Sequence, residues 1–110
     1  MKDESVTPFG IRSIEIIPNK GFFLNGKKTV FKGVCNHHDL GPLGAAVNDA
    51  AIRRQIRILK DMGCNAIRTS HNPFSPAFYN LCDTMGIMVL NEGLDGWNQP
   101  KAADDYGNYF

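Results

Sequence analysis

No apolar run in these 110 residues approaches the ~18 to 20 needed to span a bilayer. The opening MKDESVTPFG also lacks the apolar core of a secretory signal. These two absences lead us to expect a soluble chain without a membrane partner or an export address, cytoplasmic by default. An excess of one charge is missing too: 12 Lys+Arg face 11 Asp+Glu, a formal net charge of +1. That balance argues against broad phosphate neutralisation, and nucleic acid is not expected as a partner. The one cationic cluster, Arg53, Arg54, Arg57 and Lys60, fits a solvated helix face. Cysteine is scarce: Cys35, Cys64 and Cys82 are odd in number and show no C-x-x-C spacing, so neither a disulfide framework nor a zinc knuckle is indicated. Reduced thiols buried in apolar segments are the expectation.

What is present is the composition of a globular domain or a piece of one, with 43% hydrophobic and 10% aromatic residues. Ile11 to Ile17 is β-branched and reads as a strand closed by Pro18, Asn19 and Gly21. Phe22 to Leu24 and Val30-Phe31 flank Asn25-Gly26, a strong hairpin signal because both central residues of a type I′ turn need positive φ. Val30 to Cys35 is expected to be the first strand of a main sheet. Asn48 or Asp49 can then cap a helix whose Ile52, Ile56 and Leu59 form an apolar stripe, with Gly63 past its end. A short strand, Cys64 to Arg68, follows. Ser75 and Pro76 open a second helix with Phe78, Leu81, Cys82 and Met85 on one face, and Gly86 stops it. Ile87 to Leu90 is an uninterrupted apolar run of buried-strand type. Strands alternating with helices of this length predict parallel pairing.

Each of these parallel strands releases a polar cluster at its C-terminal end. Asn36, His37, His38 and Asp39 follow the first; Arg68, Ser70, His71 and Asn72 the second; Asn91, Glu92, Asp95 and Trp97 the third. Parallel strands present these ends on one edge, where α/β folds bind ligands, and all three histidines of the chain lie in the set. Plainer readings stand beside this one. His37, His38 and Asp39 fit an ordinary polar loop. A metal site of His37, His38, Asp39 and His71 is chemically possible, although adjacent residues at a strand end point to opposite sides. Arg68 fits a structural bridge to a nearby carboxylate, and Trp97 fits either the core or a ring stacking on a flat ligand face. Glu92 reads as a structural or substrate-positioning residue, since glycoside cleavage requires two carboxyl groups flanking one bond and no second carboxylate of that strand-end type follows.

Asn65-Ala66-Ile67-Arg68-Thr69-Ser70-His71-Asn72-Pro73, continuing through Leu81-Cys82-Asp83 to Gly86-Ile87-Met88-Val89-Leu90, resembles the first signature block of glycoside hydrolase family 2, which includes β-galactosidases, β-glucuronidases and β-mannosidases. Asn72 replaces the Tyr common between the His and the Pro, a variant of the β-galactosidase-like branch. Lys32 to Asp39 is similar to the family's first barrel strand, usually Gly-Val-Asn-x-His; His37 aligns with that His and Cys35 stands where Asn is usual. Phe9 to Arg12 resembles the end of the immunoglobulin-like domain that precedes the barrel, and Phe23 to Lys27 the hairpin leading into it.

The resemblance implies an α/β fold: the first three βα units of a (β/α)8 TIM barrel, preceded by a β-hairpin and a terminal strand of an immunoglobulin-like domain. Residues 1–18 would close the preceding β-sandwich and 19–110 would form the partial barrel. It further implies a retaining, exo-acting hydrolase of carbohydrate metabolism that cleaves terminal β-linked sugars, β-galactosides foremost. His37 and His71 would bind sugar hydroxyls, and Arg68 would orient the nucleophilic carboxylate. Asp95 and Trp97 resemble a Phe-Asp-x-Trp element, with Leu94 in place of Phe. Asp39, Asn72 and Glu92 complete the set expected to bind substrate or support the site. The family's magnesium-binding Glu and His after the third strand have no equivalents, so no metal and no cofactor are expected. Its acid/base and nucleophile lie on the fourth and seventh strands, beyond this sequence, and a full barrel takes ~250 residues. The chain is therefore expected to be inactive alone and to self-associate through unclosed sheet edges. A non-catalytic carbohydrate-binding or interaction module is the alternative. An open flavodoxin-like domain is disfavoured, because no Gly-rich phosphate loop opens either helix.

Overall fold

The computed structural model describes residues 2–46, 48–94 and 101–105. The chain falls into two compact units, one up to Val30 and one from Phe31.

The first unit is an antiparallel meander of β1 (Ile14–Ile17), β2 (Gly21–Leu24) and β3 (Lys27–Lys28). Leu24 and Lys27 face each other across Asn25 and Gly26, whose φ values of 50° and 73° are those a type I′ turn demands. The pairing of β1 with β2 was not foreseen. β1 also starts later than its β-branched run, at Ile14 rather than Ile11. Ser13 is taken by the turn: its N–H donates to Oδ1 of Asn25 at 2.9 Å and its carbonyl accepts from the Asn25 N–H at 2.9 Å.

The second unit runs β4 (Gly33–Asn36), α1 (Asp49–Asp61), β5 (Ala66–Thr69), α2 (Pro76–Met85), β6 (Met88–Leu90), with a short 3-10 turn at Gly41–Leu43. The three strands are parallel in the order β4-β5-β6. Asn48 caps α1, its Oδ1 accepting from the Ala51 N–H at 3.0 Å. Gly63 follows the helix at φ 88°, in the left-handed conformation that ends helices without a Cβ penalty. Ser75 occupies the N-cap of α2 as anticipated, but its side chain makes no capping bond and its buried Oγ has no partner among the described residues. Pro76 supplies the start instead, with φ preset and no N–H to satisfy. Lys60, in the last turn of α1, donates to the carbonyl of Met85 at the end of α2.

Ile52 and Ile56 from α1, Phe78, Leu81 and Cys82 from α2, Ile67 from β5 and Ile87 form the core, with Val34 and Val89 packed against it. The sheet therefore turns Val34, Ile67, Thr69 and Val89 toward the helices. Alternation along a strand sends Gly33, Cys35, Ala66, Arg68, Met88 and Leu90 to the other face. These residues and Phe31 line a concavity of about 380 Å³. Two expectations need correction here. Ile87 to Leu90 is not buried throughout, since Leu90 is 65% exposed on the face without helices. The cysteines also divide: Cys82 is buried, Cys64 half-buried and Cys35 exposed, because Cys35 belongs to that same open face.

Burial pushes the Cys82 thiol from 9.0 up to about 12, with the neighbouring Asp83 charge adding to the shift. A raised value in the folded state means that stability is fully present below pH 9 and declines between pH 9 and pH 12, as the unfolded chain gives up the proton first. Chemical denaturation of wild type and Cys82→Ala across this range checks it. The alkaline decline is expected to be steeper in the wild type.

Candidate functional site

Because β4, β5 and β6 are parallel, the polar residues that follow them meet at one end of the sheet. Arg68 is the centre of the group. It sits between Cys35 and Leu90 in register, and its side chain lies on the face opposite the helices. Its Nε donates to Oε1 of Glu92, and its Nη1 donates to Sγ of Cys35 at 3.4 Å. The hydrogen bond to Cys35 and then that to Glu92 raise the already high pKa of the guanidinium, against a smaller desolvation effect. Arg68 is thus a permanent cation with its fork already oriented by Cys35 of β4 and by Glu92 just past β6.

Glu92 brings its second oxygen toward the next member. Oε2 is buried without a hydrogen-bond partner among the described residues and lies 3.8 Å from Nδ1 of His71. The His71 ring in turn meets His37 edge to face, with centroids 5.4 Å apart. The four side chains therefore form a continuous arc from β4 through β5 to β6. A carboxylate oxygen, two imidazoles and a guanidinium along one rim offer the mixture of acceptors and donors that suits a polyhydroxylated ligand. The plainer reading of Arg68, a bridge to a nearby carboxylate, is present in the structure, and Glu92 supplies it.

Other expected members stand apart. Asp39 turns back on its own loop, its Oδ1 accepting from the Gly41 N–H at 3.2 Å, and it is exposed. Asn72 is exposed in the turn before α2. His37 and His38 diverge as neighbours at a strand end should: His37 faces His71, whereas His38 packs its ring on Phe74 with centroids 5.2 Å apart. The four residues weighed as a possible metal set are therefore not gathered at one point. Asp95 and Trp97 lie outside the described residues.

Residues that sequence reasoning passed over also matter. Thr69, wholly buried at the end of β5, bonds to both Asn91 and Glu92, and Tyr79 of α2 reaches Asn91 as well. Thr69 shares strand parity with Ile67, so a hydroxyl at a core-facing position was the available signal. For Tyr79, off the apolar stripe of α2, no signal existed.

Residues 15–107 match the family description "Glycosyl hydrolases family 2, TIM barrel domain". A protein of Bacteroides ovatus named Beta-galactosidase BoGH2A is 55% identical over 108 residues, which is 98% of this chain and 13% of that protein. A beta-glucuronidase of Bacteroides fragilis is 40% identical over 90 residues, 81% of this chain and 13% of that protein. Among solved structures, a beta-glycosidase from Bacteroides vulgatus superimposes with a TM-score of 0.89 at 72% identity, over 94% of this chain and 14% of that one. The Parabacteroides merdae beta-glucuronidase superimposes with a TM-score of 0.76 at 36% identity, over 89% of this chain and 12% of that one. The chain thus spans a small part of each relative's length. With a matching family description over most of its residues and a strand-end arc that includes Arg68 and His71 of the signature block, the chain belongs to glycoside hydrolase family 2, in its TIM barrel domain.

Proposed function

We propose that these residues form the first three strands of a (β/α)8 barrel in a retaining, exo-acting glycosidase acting on terminal β-linked sugars, with residues 1–18 closing the preceding β-sandwich domain. The observation that carries this reading is the convergence of His37, Arg68, His71 and Glu92 at the C-terminal strand ends, where barrels build their active sites. In it, His37 and His71 hold sugar hydroxyls while Arg68 and Glu92 hold the rim in shape. The family resemblance alone adds Asp39, Asn72, Asp95 and Trp97 as further candidates for sugar binding, with Asp39 held to its own loop. A β-galactoside is the favoured substrate. The relative BoGH2A is named a beta-galactosidase. The guanidinium that could otherwise attract a uronate carboxylate is also already paired with Glu92.

Hydrolysis needs one carboxyl group to protonate the leaving oxygen and another to attack or to activate water. Glu92 has one oxygen committed to Arg68, which suits holding rather than attack. The 110-residue chain therefore recognises the sugar weakly and does not cleave it. Assaying the purified chain with a chromogenic β-galactoside tests this. No turnover above buffer is expected; turnover that survives repurification and is lost in Arg68→Ala or His71→Ala would overturn it.

The same reading has a physical corollary. The strands β4 and β6 are each paired on one side only among the described residues, and Phe31 and Leu90 are 54% and 65% exposed. Unpaired strand edges beside apolar side chains favour association of copies. Light scattering across micromolar concentrations is expected to show species larger than 12.2 kDa. A clean monomer at every concentration contradicts this.

A further inference from the structure

The parallel ladder between β5 and β6 ends at Arg68 and Leu90. Beyond that point Asn91 and Glu92 have no strand register to hold them, yet Glu92 is the residue on which Arg68 and His71 both converge. A side-chain relay takes over from the ladder. The backbone N–H of Glu92 donates to Oγ1 of Thr69 at 2.9 Å, and the Thr69 hydroxyl donates to Oδ1 of Asn91 at 3.2 Å. The Tyr79 hydroxyl donates to the same Oδ1 at 2.6 Å and accepts from the Phe74 N–H at 2.8 Å.

Each hydroxyl in this relay has one proton, and each spends it on Asn91 while accepting a backbone N–H on its other side. Directionality is therefore complete: two backbone donors feed two hydroxyls, and two hydroxyls feed one carbonyl oxygen. Thr69 is 0% exposed, so no water can substitute for its hydroxyl without opening the core. It also stands next to Arg68 in β5, with its side chain on the opposite face. One dipeptide thus reaches the Asn91-Glu92 segment from both sides of the sheet, through the Thr69 hydroxyl on one and the Arg68 guanidinium on the other.

We propose that Thr69 is a positioning residue for sugar recognition. It clamps the Glu92 backbone so that the Glu92 carboxylate orients Arg68 and faces His71, with Asn91 and Tyr79 as the brace that keeps the Thr69 hydroxyl pointed. This rests on the reading of the strand-end arc as the sugar site and adds residues that do not themselves touch sugar.

The test uses the 110-residue chain and two independent readouts. One is hydrogen exchange of the Glu92 amide, followed by mass spectrometry of peptides covering residues 88–94. The other is saturation transfer from the protein to methyl β-galactoside. Thr69→Val keeps the shape and removes the hydroxyl, whereas Thr69→Ser keeps the hydroxyl. In Thr69→Val the Glu92 amide is expected to exchange about tenfold faster, the scale set by loss of one buried hydrogen bond. Saturation transfer is expected to fall with it, and Thr69→Ser is expected to restore both. Unchanged exchange in Thr69→Val, or sugar contact that Thr69→Ser does not restore, overturns the proposal. Should Thr69→Val fail to fold by circular dichroism, Tyr79→Phe decides, because it removes one donor to Asn91 and leaves the buried threonine in place. Faster Glu92 exchange there supports the relay and unchanged exchange overturns it. Absence of saturation transfer in the wild type would instead remove the sugar-site reading, and the exchange result would still stand or fall by itself.

Discussion

Arg68→Ala is expected to abolish saturation transfer to methyl β-galactoside and to leave the fold intact. The side chain lies on the sheet face away from the helices, so truncating it opens no hole among Ile52, Ile56, Ile67 and Phe78. What it removes is the link between two strand ends. Glu92 loses the donor to Oε1, and Cys35 loses the N–H that reaches its sulfur. A carboxylate left without its guanidinium, with Oε2 already lacking a partner among the described residues, has every reason to turn toward water. His71 then loses the neighbour that faces its Nδ1. Arg68→Lys is expected to be nearly as poor, because a single ammonium cannot present Nε and Nη1 to two partners in one plane. Full retention of sugar contact in Arg68→Lys would show that only the charge matters and that the fork does not.

Gly33→Ala is expected to destabilise the second unit by about 1–3 kcal/mol, the range for overpacking a well-filled site. The direction is the informative part, since alanine in a strand interior is ordinarily better than glycine by roughly 0.5–1 kcal/mol. Here a Cβ on residue 33 would lie 2.6 Å from the carbonyl oxygen of Ala66 and 3.0 Å from its carbonyl carbon. Both are backbone atoms of the central strand and cannot rotate away. Relief requires β4 to move off β5, and β5 is its only strand neighbour among the described residues. The bond from the Asn65 N–H to the Lys32 carbonyl, 2.8 Å long, lies next to the clash and would be strained with it. Gly33→Val is expected to cost little more than Gly33→Ala, because the first carbon makes the collision. Urea midpoints of the three proteins check this; a Gly33→Ala midpoint equal to or above that of wild type contradicts it.

Much of the fold was legible locally. Asn25-Gly26 announced its turn because positive φ at two successive residues selects those side chains. Asn48, Gly63, Pro76 and Gly86 marked the helix ends for similarly local reasons: a side-chain acceptor for an orphan N–H, a residue free to turn left-handed, or a ring with φ preset. The stripes Ile52-Ile56 and Phe78-Leu81-Cys82 reported burial because helical periodicity is a property of the chain itself. Strand limits were less legible. β4 begins at Gly33 rather than Val30, because a ladder exists only where the partner strand supplies the other half of each bond.

The site divided along the same line. Residue types and spacing alone determined that polar side chains follow three strands, and that these strands are parallel and share one edge. They also carried the signature of the family to which the chain belongs. Which of those side chains touch was decided only in three dimensions. Asp39 turned to its own loop, His38 went to Phe74, and Glu92 paired with Arg68 across 24 positions of sequence. Thr69 and Tyr79 became visible only there, since a hydroxyl shows its purpose only when the atoms it must satisfy come within hydrogen-bond distance. Periodicity and capping are encoded within a few residues; partners are chosen by packing, which sums over the whole unit.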